Sequence, residues 1–558
     1  MQREIFINVE GNETRVGIKE DGRLAEIHIE RGFDESVVGN IYKGVVTDVL
    51  PGMEAAFVDV GLERNVFLHA SDAVVLKGNR GKNKKINQLV QKGDRIMVQI
   101  VKEPLGTKGA RATCELAIPG RYLVLMAKSG HIGVSRRISN EKNRNRLRKI
   151  VQNLKPDNCG LIVRTVAEEA EKEELRRDLN YLHHQWKRIQ HGYKKDKAPS
   201  LLYRDLELAQ RVVRDIFTED FERLVLDDLQ VYREIIKLTG AVAPHLRSRI
   251  ELYQGDIPIF NRYHVEKEVK KALERKVWLN SGGYLVIDTT EALTSVDVNT
   301  GKYVGSSNLD DTILKTNLEA AKEIPIQLKL RDIGGIIIID FIDMEREKDQ
   351  QKVMSTFQKE LEKDKTKTAI MGLTKLGLVE MTRKKVKQGI GEYLQQECPH
   401  CEGSGKILTP ESGALEAIHQ LKTKIGLENF EAVLMEVNPE VAALLIGSGG
   451  KNLKDLESKL KKDIYIRGNE SLNVKDIKFV QTGSKKELAR SAPPVKKGEI
   501  LGVYIQDRHS NNPDDGIGRV EGYVIDIVDA GKRVGEKVTV KIEEVSRTFA
   551  RARIIDNV

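Results

Sequence analysis

Cysteine, long apolar runs and aromatic residues are all scarce in this sequence. Four cysteines in 558 residues are too few for a disulfide framework, so a reducing cytoplasm is the expected compartment. No apolar run approaches the length of a membrane span. The first residues, MQREIFINVEGNE, are charged where a secretory signal would be apolar. We therefore expect a cytoplasmic protein without a membrane segment.

A phosphate-binding loop of the Gly-Lys-Ser/Thr type is also missing. The run IIIID at 336–340 is like the magnesium strand of P-loop ATPases, which need that loop. No Gly-Lys pair is followed by Ser or Thr, and this excludes a P-loop ATPase. The residues that do follow these pairs are Asn83, Tyr303, Ile407, Asn452 and Arg533.

Charge is abundant and mildly basic. The chain has 92 Lys and Arg against 83 Asp and Glu, a net charge of +9. Lys77–Lys85 carries five cations and no acid, and Arg136–Lys149 carries seven cations and one acid. Such clustering favours nucleic acid as a partner, although a solvated loop and a solvated helix face explain either run alone equally well.

The order of the patterns predicts a multidomain protein of α/β and β architecture. The chain of 558 residues is too long to fold around a single hydrophobic core. Short strands precede a small antiparallel barrel, and alternating helices and strands later indicate an α/β layer. A separable part with a linker and a second small barrel follows. These features lie at 2–31 (strands), 39–117 (barrel), 166–190 and 263–279 (helices), about 310–330 and from Arg346 onward (helices of the α/β layer, with the strand GGIIIIDFIDM between them), 491–499 (linker) and the last 60 or so residues (second barrel).

Two acidic strand ends are the candidates for chemistry. In ALTSVDVNTG, Asp297 and Asn299 share the polar face of a strand. Asp340 ends a run of four isoleucines that predicts a strand buried on both faces. If the two strands are neighbours, these oxygen ligands suit magnesium, which could polarise a water for attack on a phosphodiester. The alternative is that both aspartates cap helices or bind turn amides.

The stretch CPHCEGSGK places Cys398 and Cys401 at zinc-knuckle spacing. A thioredoxin-like redox pair is the rival, but glycines and no helix follow directly. Two thiolates make half of a tetrahedral site, and the other cysteines lie far away in the sequence. A two-fold axis through the metal would supply the missing pair, which predicts a zinc-linked homodimer.

Aromatic and glycine patterns add candidate RNA contacts. Phe57 and Phe67 each share a strand face with polar residues, so each is either a barrel-core residue or a base-stacking platform. The Gly-x-x-Gly stretch Gly447–Gly450 before a helix is similar to the backbone clamp of KH domains, and an ordinary glycine turn explains it equally well.

Together the motifs resemble one family, the ribonuclease E/G endoribonucleases, over residues 1 to about 485. The pieces that carry the resemblance are PGMEAAFVDVGLERNVFL, GRYLVLM, GLIVRT, SVDVNTG, TNLEAAKEIPIQLKLRDIGGIIIIDFIDM and the Cys-Pro-x-Cys knuckle. The resemblance implies an RNase H-like subdomain with inserted OB barrel and 5′ sensor, a DNase I-like catalytic subdomain, a zinc link and a small α/β domain. A TRAM-like β-barrel, an RNA-binding module, is added at the C-terminus.

The implied segments are 1–34 with 210–277 (RNase H-like), 35–118 (OB fold), 119–209 (5′ sensor), 278–397 (DNase I-like), 398–410 (zinc link), 411–486 (small domain) and 493–558 (TRAM-like). The long disordered scaffold of ribonuclease E has no counterpart here, so a degradosome platform is not implied.

The resemblance also assigns roles, position by position. Asp297 and Asp340 match magnesium ligands, and Asn299 matches a catalytic asparagine. The pocket for a 5′-monophosphate matches Gly120, Val124, Arg164 and Thr165. The positions that match or lie near RNA-contacting ones are Phe57, Phe67, Lys108, Arg136, Arg137 and Lys367. Lys367 stands where some members have arginine.

The expected function is that of a magnesium-dependent endoribonuclease. It would cleave single-stranded RNA, favour 5′-monophosphorylated substrates, and leave 5′-phosphate and 3′-hydroxyl ends. Ribosomal RNA precursors and mRNA are the expected substrates, in rRNA maturation and mRNA decay. The expected assembly is a zinc-linked homodimer or a homotetramer of such dimers. The competing hypothesis is a non-catalytic RNA-binding protein, which would have no need of the Asp297, Asn299 and Asp340 constellation.

Overall fold

The computed structural model divides into two compact units, Met1–Gln395 and Gln396–Val558. It describes residues 2–32, 37–73, 85–103, 109–127, 129–156, 158–301, 309–374, 377–385, 389–447, 450–491, 493–509, 512–546 and 549–555. Lys108, most of the basic run 77–85 and the two middle residues of the Gly447–Gly450 stretch lie outside them. None of the helices in these ranges has the length and apolar composition needed to cross a bilayer.

The strands of the first unit are β1 (Arg3–Glu10), β2 (Glu13–Glu20), β3 (Arg23–Arg31), β4 (Ile41–Leu50), β5 (Ala55–Asp59), β6 (Val66–His69), β7 (Arg95–Lys102), β8 (Arg111–Thr113), β9 (Ala117–Pro119), β10 (Leu123–Ala127), β11 (Ile132–Val134), β12 (Cys159–Val163), β13 (Ser200–Tyr203), β14 (Arg223–Leu226), β15 (Ile250–Leu252), β16 (Lys276–Trp278), β17 (Tyr284–Thr289), β18 (Leu293–Asn299), β19 (Gly335–Asp340), β20 (Thr368–Leu373) and β21 (Leu378–Arg383). Its helices are α1 (Ala70–Ala73), α2 (Ile86–Leu89), α3 (Glu141–Leu154), α4 (Lys172–Lys195), α5 (Leu208–Asp215), α6 (Leu229–Val242), α7 (Ile259–Arg262), α8 (Val265–Leu273), α9 (Leu309–Leu330), α10 (Glu347–Leu361) and α11 (Ile390–Leu394).

The N-terminal strands form a sheet with strands that come much later in the chain. The strand order is β15-β14-β1-β2-β3, with β1 parallel to β14 and antiparallel to β2. The turn between β1 and β2 is tight because Gly11 adopts a φ of 58°, which glycine reaches at little cost. Helices α5 and α6 supply apolar side chains to the core of this sheet. The sheet is thus discontinuous in the sequence.

A small barrel is inserted between these parts. Its order is β13-β4-β5-β6-β8-β7, and the pairing of β4 with β7 closes it around an apolar core. The prediction of an entirely antiparallel barrel is wrong in one place, since β8 pairs with β6 in parallel. The reason is that β8 returns antiparallel to β7 and is inserted between β7 and β6. A four-stranded sheet, β11-β12-β10-β9, follows and shares a core with α3 and α4.

The largest α/β layer of this unit has the strand order β16-β17-β18-β19-β21-β20. The pair β18–β19 is parallel, and the other pairs are antiparallel. Helices α9 and α10 cover one face, where Ile337 and Ile339 are fully buried. The prediction that this strand is buried on both faces is wrong, because Ile336 is 51% exposed on the other face. One face of the sheet, the open face, is therefore accessible in this unit.

The helix predicted over 263–279 is shorter in the structure than the periodicity of the sequence indicates. Helix α8 ends at Leu273, and Glu274 takes an extended conformation. The remaining residues form β16, which pairs with β17 as the edge strand of the α/β layer. Sheet pairing therefore overrides the helical periodicity after Leu273.

The second unit contains the helices α12 (Pro410–Leu427), α13 (Pro439–Ile446), α14 (Lys451–Leu460) and α15 (Lys485–Ser491), and the strands β22 (Ala432–Val437), β23 (Asp463–Gly468), β24 (Ile477–Gly483), β25 (Ile500–Arg508), β26 (Gly516–Val520), β27 (Tyr523–Val528), β28 (Lys537–Val545) and β29 (Phe549–Ile554). The first three strands form a sheet of order β23-β22-β24, with apolar side chains from α12–α14 in its core. The last five close into a barrel of order β25-β26-β27-β29-β28. The predicted second small barrel is therefore present.

Arg383, at the end of β21, links several segments of the α/β layer through ion pairs and a hydrogen bond. Its guanidinium is 3% exposed and forms ion pairs with Asp332 at 3.0 Å and Asp364 at 2.8 Å. It also donates to the carbonyl of Ile333. Burial opposes its charge, but hydrogen bonds to Asp364 and Asp332 raise the pKa of Arg383 above its ordinary value. One side chain thus ties the end of α9 to the segment before β20.

We expect Arg383→Met to destabilise this layer strongly. The substitution leaves two poorly solvated carboxylates without their cation, a change that costs about 3–5 kcal/mol. Because multidomain chains do not unfold in one step, the measurement is amide hydrogen exchange in peptides that cover β19 and β21. Arg275→Met is the matched control, since Arg275 pairs with Asp288 at the surface and should change little. Unchanged protection in Arg383→Met would contradict this role.

Candidate active site and nucleic-acid interfaces

The α/β layer brings the two predicted acidic positions side by side. Strands β18 and β19 pair in parallel with Asp297 directly opposite Asp340. Val296 and Val298 point into the core under the helices, so Asp297 and Asn299 lie on the open face. Asp340 is on the same face, at the carboxyl end of its strand. The polar face of SVDVN thus forms the centre of a site.

Asn299 is joined to this pair by a hydrogen bond. Its side-chain nitrogen donates to Oδ2 of Asp297 at 2.8 Å. The carboxamide therefore orients one carboxylate oxygen and keeps its own oxygen next to the acidic pair. Neither aspartate is a helix cap, because both lie within strands.

The carboxylates crowd one another electrostatically. Partial burial, followed by the negative charges of Asp297 and Asp343, raises the pKa of Asp340 above its ordinary value. A divalent cation between like charges relieves such repulsion. Over the described ranges, no group of three or more acidic, His or Cys side chains has the arrangement to enclose a metal. Two carboxylates that leave the remaining positions to water and phosphate fit magnesium.

Asn317 supports the site from beneath and was missed by the sequence analysis. It is fully buried in α9, where its side chain donates to the carbonyl of Ile342 at 2.7 Å and accepts from the Ile342 amide at 3.1 Å. These bonds hold the segment that follows Asp340. The available signal was an asparagine on the apolar face of a helix, a position that requires a polar partner.

The barrel presents Phe57 and Phe67 as a pair. They are opposite each other in β5 and β6, with ring centroids 6.1 Å apart and planes at 71°. Both are half-buried, whereas Val58 and Leu68 form the core. This arrangement favours an exposed aromatic platform over a core role. The parallel strand β8 places Arg111 beside Phe67, a cation that the sequence analysis did not single out.

The predicted 5′-phosphate residues converge in the four-stranded sheet. Nη1 of Arg164 donates to the carbonyl of Gly120 at 2.5 Å, and the Arg164 amide donates to the carbonyl of Tyr122 at 2.9 Å. Val124 lies opposite Ile162 in the neighbouring strand, and Thr165 is exposed with its hydroxyl 2.9 Å from that of Ser135. Two segments distant in sequence, one with Gly120 and Val124 and the other with Arg164 and Thr165, are therefore brought together by the pairing of β10 with β12.

Close approach explains the glycine in this group. A Cβ atom at Gly120 would be 2.6 Å from the carboxylate oxygens of Asp178. That buried carboxylate accepts the backbone amides of Arg121, Tyr122 and Leu123. Glycine thus allows the turn to wrap around Asp178.

Arg164 also makes an ion pair. Its Nη1 atom is 2.6 Å from Oδ1 of Asp215, which binds Arg214 as well. Burial opposes the charge, but the bonds and charges of Arg214 and then Arg164 lower the pKa of Asp215. The arginine is therefore held in place by a carboxylate, and this geometry is compatible with a structural role as well as with the predicted phosphate-binding role.

The exposed arginines that follow β11 reach the α/β layer. Nη2 of Arg137 donates to the carbonyl of Lys365 at 3.2 Å, and Arg136 is also exposed. Lys367, two residues further, is exposed, and its carbonyl accepts the Lys384 amide at 3.0 Å. The structure thus brings three of the predicted RNA-contacting cations into one region of the first unit.

Cys398 and Cys401 lie on a glycine-containing turn in the second unit. The amides of Glu402 and Ser404 donate to the carbonyls of Cys398 and Cys401. Cys398 is exposed, and the backbone amides of Cys401 and His400 lower the pKa of its thiol. Helix α12 begins only at Pro410, so no helix starts at the pair as a thioredoxin-type motif would require. The turn presents two thiols, which is half of a tetrahedral zinc site.

The other cysteines do not lie on this turn, since Cys114 and Cys159 are buried in the first unit. His400, within the turn, is hydrogen-bonded to the side chain of Asn473 at 2.6 Å.

The second unit offers two further surfaces. Gly447 ends α13 and Gly450 precedes α14, so the Gly-x-x-Gly stretch joins two helices, and both its interpretations stay open. In the C-terminal barrel, β29 alternates buried alanines with the exposed residues Phe549, Arg551 and Arg553. The alternation in FARAR is the signal for this basic aromatic strand, which the sequence analysis did not use.

Four family models match the chain in separate segments. They are described as the Ribonuclease E/G family at residues 117–386, the RNase E/G thioredoxin-like domain at 397–482, the TRAM domain at 494–555 and the S1 RNA binding domain at 36–114. The S1 match covers the barrel that carries Phe57 and Phe67. The expected RNA-binding barrels near both ends of the chain are thereby confirmed.

Whole-chain relatives agree with these matches. The chain is 44% identical over 474 residues to "Ribonuclease G" of Salmonella typhimurium, covering 84% of this chain and 97% of the relative. It is 41% identical over 478 residues to "Ribonuclease G" of Haemophilus influenzae, with the same coverage. It is 42% identical over 400 residues to "Ribonuclease E" of a Nostoc species, covering 70% of this chain and 58% of the relative.

Proposed function

The chain belongs to the ribonuclease E/G family and is an endoribonuclease, and we propose that it cleaves single-stranded RNA at Asp297, Asn299 and Asp340 with magnesium. The observation that carries this proposal is the parallel pairing of Asp297 with Asp340 on the open face. The products would be 5′-phosphate and 3′-hydroxyl ends. The proposed setting is rRNA maturation and mRNA decay in the cytoplasm.

Each residue of the site has a role that follows from its contacts. Asp297 and Asp340 would hold the ion, which when bound supplies neutralisation of charge on the scissile phosphate. Asn299, through its bond to Asp297, fixes the orientation of that carboxylate. Asn317 holds the backbone after Asp340 and so sets the position of the second carboxylate. The residues therefore arrive at the phosphate already oriented.

For the open face, RNA binding without catalysis is the second candidate role, and the barrels and basic patches suit both roles equally. The acidic pair argues against it, because exposed carboxylates repel a polyanion unless a cation lies between them. The two candidates predict opposite results when the pair is altered.

We expect Asp297→Asn and Asp340→Asn to abolish cleavage while RNA binding persists. Loss of one preorganised charged group should lower the rate at least about 100-fold. Affinity should survive because it comes mainly from phosphate contacts elsewhere. The measurements are cleavage of a 5′-monophosphorylated single-stranded RNA in magnesium, and its binding in EDTA.

Asp288→Asn is the matched control for that experiment. Asp288 lies on the same face of the neighbouring strand, opposite Ser295, and pairs with Arg275. Its neutralisation lowers the negative charge of the face without touching the proposed site. Full activity of Asp297→Asn or Asp340→Asn, or an equal loss in Asp288→Asn, would overturn the assignment.

We also propose that Gly120, Val124, Arg164 and Thr165 bind a 5′-monophosphate. A guanidinium binds a terminal phosphate through paired charge-assisted hydrogen bonds, and a triphosphate would fit a small pocket poorly. The convergence of these residues supports the proposal, and Arg136 and Arg137 add positive charge nearby.

Arg164→Ala should slow cleavage of 5′-monophosphorylated RNA by about 10-fold, the value of one or two charged hydrogen bonds. Cleavage of 5′-hydroxyl and triphosphate substrates should change little. Asp215→Asn separates the two roles of Arg164, since it removes the ion pair but leaves the guanidinium. Equal losses on all three RNAs, reproduced by Asp215→Asn, would show that Arg164 is structural.

The cysteine turn supports a third proposal, a homodimer joined by zinc. Cys398 and Cys401 from two copies would complete a tetrahedral site of four thiolates, and the exposure of Cys398 and its lowered thiol pKa suit metal binding. Dimers of this kind could pair into a tetramer.

Metal analysis of the purified protein should then return about one zinc for two chains. Cys398→Ser combined with Cys401→Ser should shift the mass measured by light scattering toward the monomer. His400→Ala is the control, because His400 binds Asn473 in its own chain. One zinc in each chain, or an unchanged dimer without metal, would refute the shared site.

A further inference from the structure

An aromatic pair lies next to the acidic site on the open face. Trp278 in β16 is opposite Tyr284 in β17, and Tyr284 is opposite Asn299 in β18. Directly opposite residues of antiparallel strands point to the same side, and neighbouring strands are about 4.8 Å apart. A row of side chains therefore leads from Asn299 through Tyr284 to Trp278 at the edge of the sheet.

The two rings and a lysine form one cluster. The ring centroids of Trp278 and Tyr284 are 5.4 Å apart, with planes at 61°. Nζ of Lys276 is 3.4 Å from the Tyr284 centroid and 4.1 Å from that of Trp278. The rings are inclined to each other and the cation lies over both, so the cluster combines aromatic surface with positive charge.

Trp278 is not part of the hydrophobic core. It is 63% exposed, while the chain's other tryptophan, Trp186, is 4% exposed. The adjacent residue Val277 packs against the core of the α/β layer instead. Since tryptophan is highly buried on average, an indole with this exposure is available to contact a ligand.

We propose that Trp278 and Tyr284, with Lys276, stack one base of the RNA strand that crosses the acidic site. The inference rests on the proposed function and adds a positioning site to it. Aromatic faces stack on any base, and the lysine attracts the phosphate backbone. A protein partner is the other occupant to test, because Ile336 is also exposed on this face. The positive charge and the continuity with Asn299 favour RNA.

The test measures binding of a short, single-stranded, 5′-monophosphorylated RNA to the full chain in the Asp297→Asn background. Trp278→Ala should raise Kd about 10-fold, which corresponds to about 1.4 kcal/mol. Trp278→Phe should restore most of the affinity because a phenyl ring still stacks. Ile257→Ala, an exposed apolar residue outside this sheet, should leave Kd unchanged.

An abasic scan identifies the stacked base. A single abasic ribose is moved along the RNA, and the losses are compared between the parent and Trp278→Ala. We expect one position at which the abasic ribose weakens binding to the parent but causes no further loss of affinity in Trp278→Ala, because the stacking contact is already absent there. In the active chain, Trp278→Ala should raise KM and leave kcat nearly unchanged, since the residue does not contact the reacting atoms.

Three results would overturn the stacking site. They are an unchanged Kd in Trp278→Ala, equal losses at every abasic position in both proteins, and a change of oligomeric state in place of RNA affinity. These outcomes differ from failure of the proposed function. If Asp297→Asn cleaves normally, the catalytic assignment fails; if Asp297→Asn is inactive and Trp278→Ala binds normally, only the stacking site fails.

Discussion

The parallel pairing of β18 with β19 is the constraint on which the site depends. It places Asp297 opposite Asp340, and a shift by one residue would turn one carboxylate into the core. The buried valines and isoleucines of the covered face hold this register against α9 and α10. The geometry of the proposed site is thus a consequence of the core packing beneath it. Arg383 and Asn317 fasten the segments at the two ends of β19.

Covering only one face of the sheet has a second consequence. The helices bury one side, so the other presents polar and aromatic groups along the strands. Carboxylates, Asn299, Tyr284 and Trp278 lie on it in strand register. Groups arranged in a row along strands in this way suit the proposed binding of an extended RNA strand. The aromatic pair in the barrel and the arginines near Lys365 present related chemistry elsewhere in the same unit.

The sequence predicts the types of element and the acidic pair well, because strand periodicity is local. It fails where contacts between segments distant in the sequence determine the local structure or the exposure of a residue. The helical pattern at 263–279 loses to strand pairing in β16, and Ile336 is exposed because no element covers its side. Asn317 and Trp278 were overlooked for the same reason, since their importance appears only when other strands and helices are beside them. The ion pair of Arg164 with Asp215 likewise joins residues far apart in sequence.

The proposed site and the predicted RNA-contacting residues carry charges of opposite sign. The chain is basic overall, and the predicted RNA-contacting cations Arg136, Arg137 and Lys367 are exposed in the first unit, whereas the proposed centre is acidic. Such cations would attract the RNA backbone and supply most of the affinity. Burial, and then the negative charges of Asp297 and Asp343, raise the pKa of Asp340, so the carboxylates of the proposed site also repel one another. Under the proposed function, RNA would bind these cations in the absence of metal, and its phosphate would reach the carboxylates only together with the ion. Such a division would account for an acidic site in a basic chain.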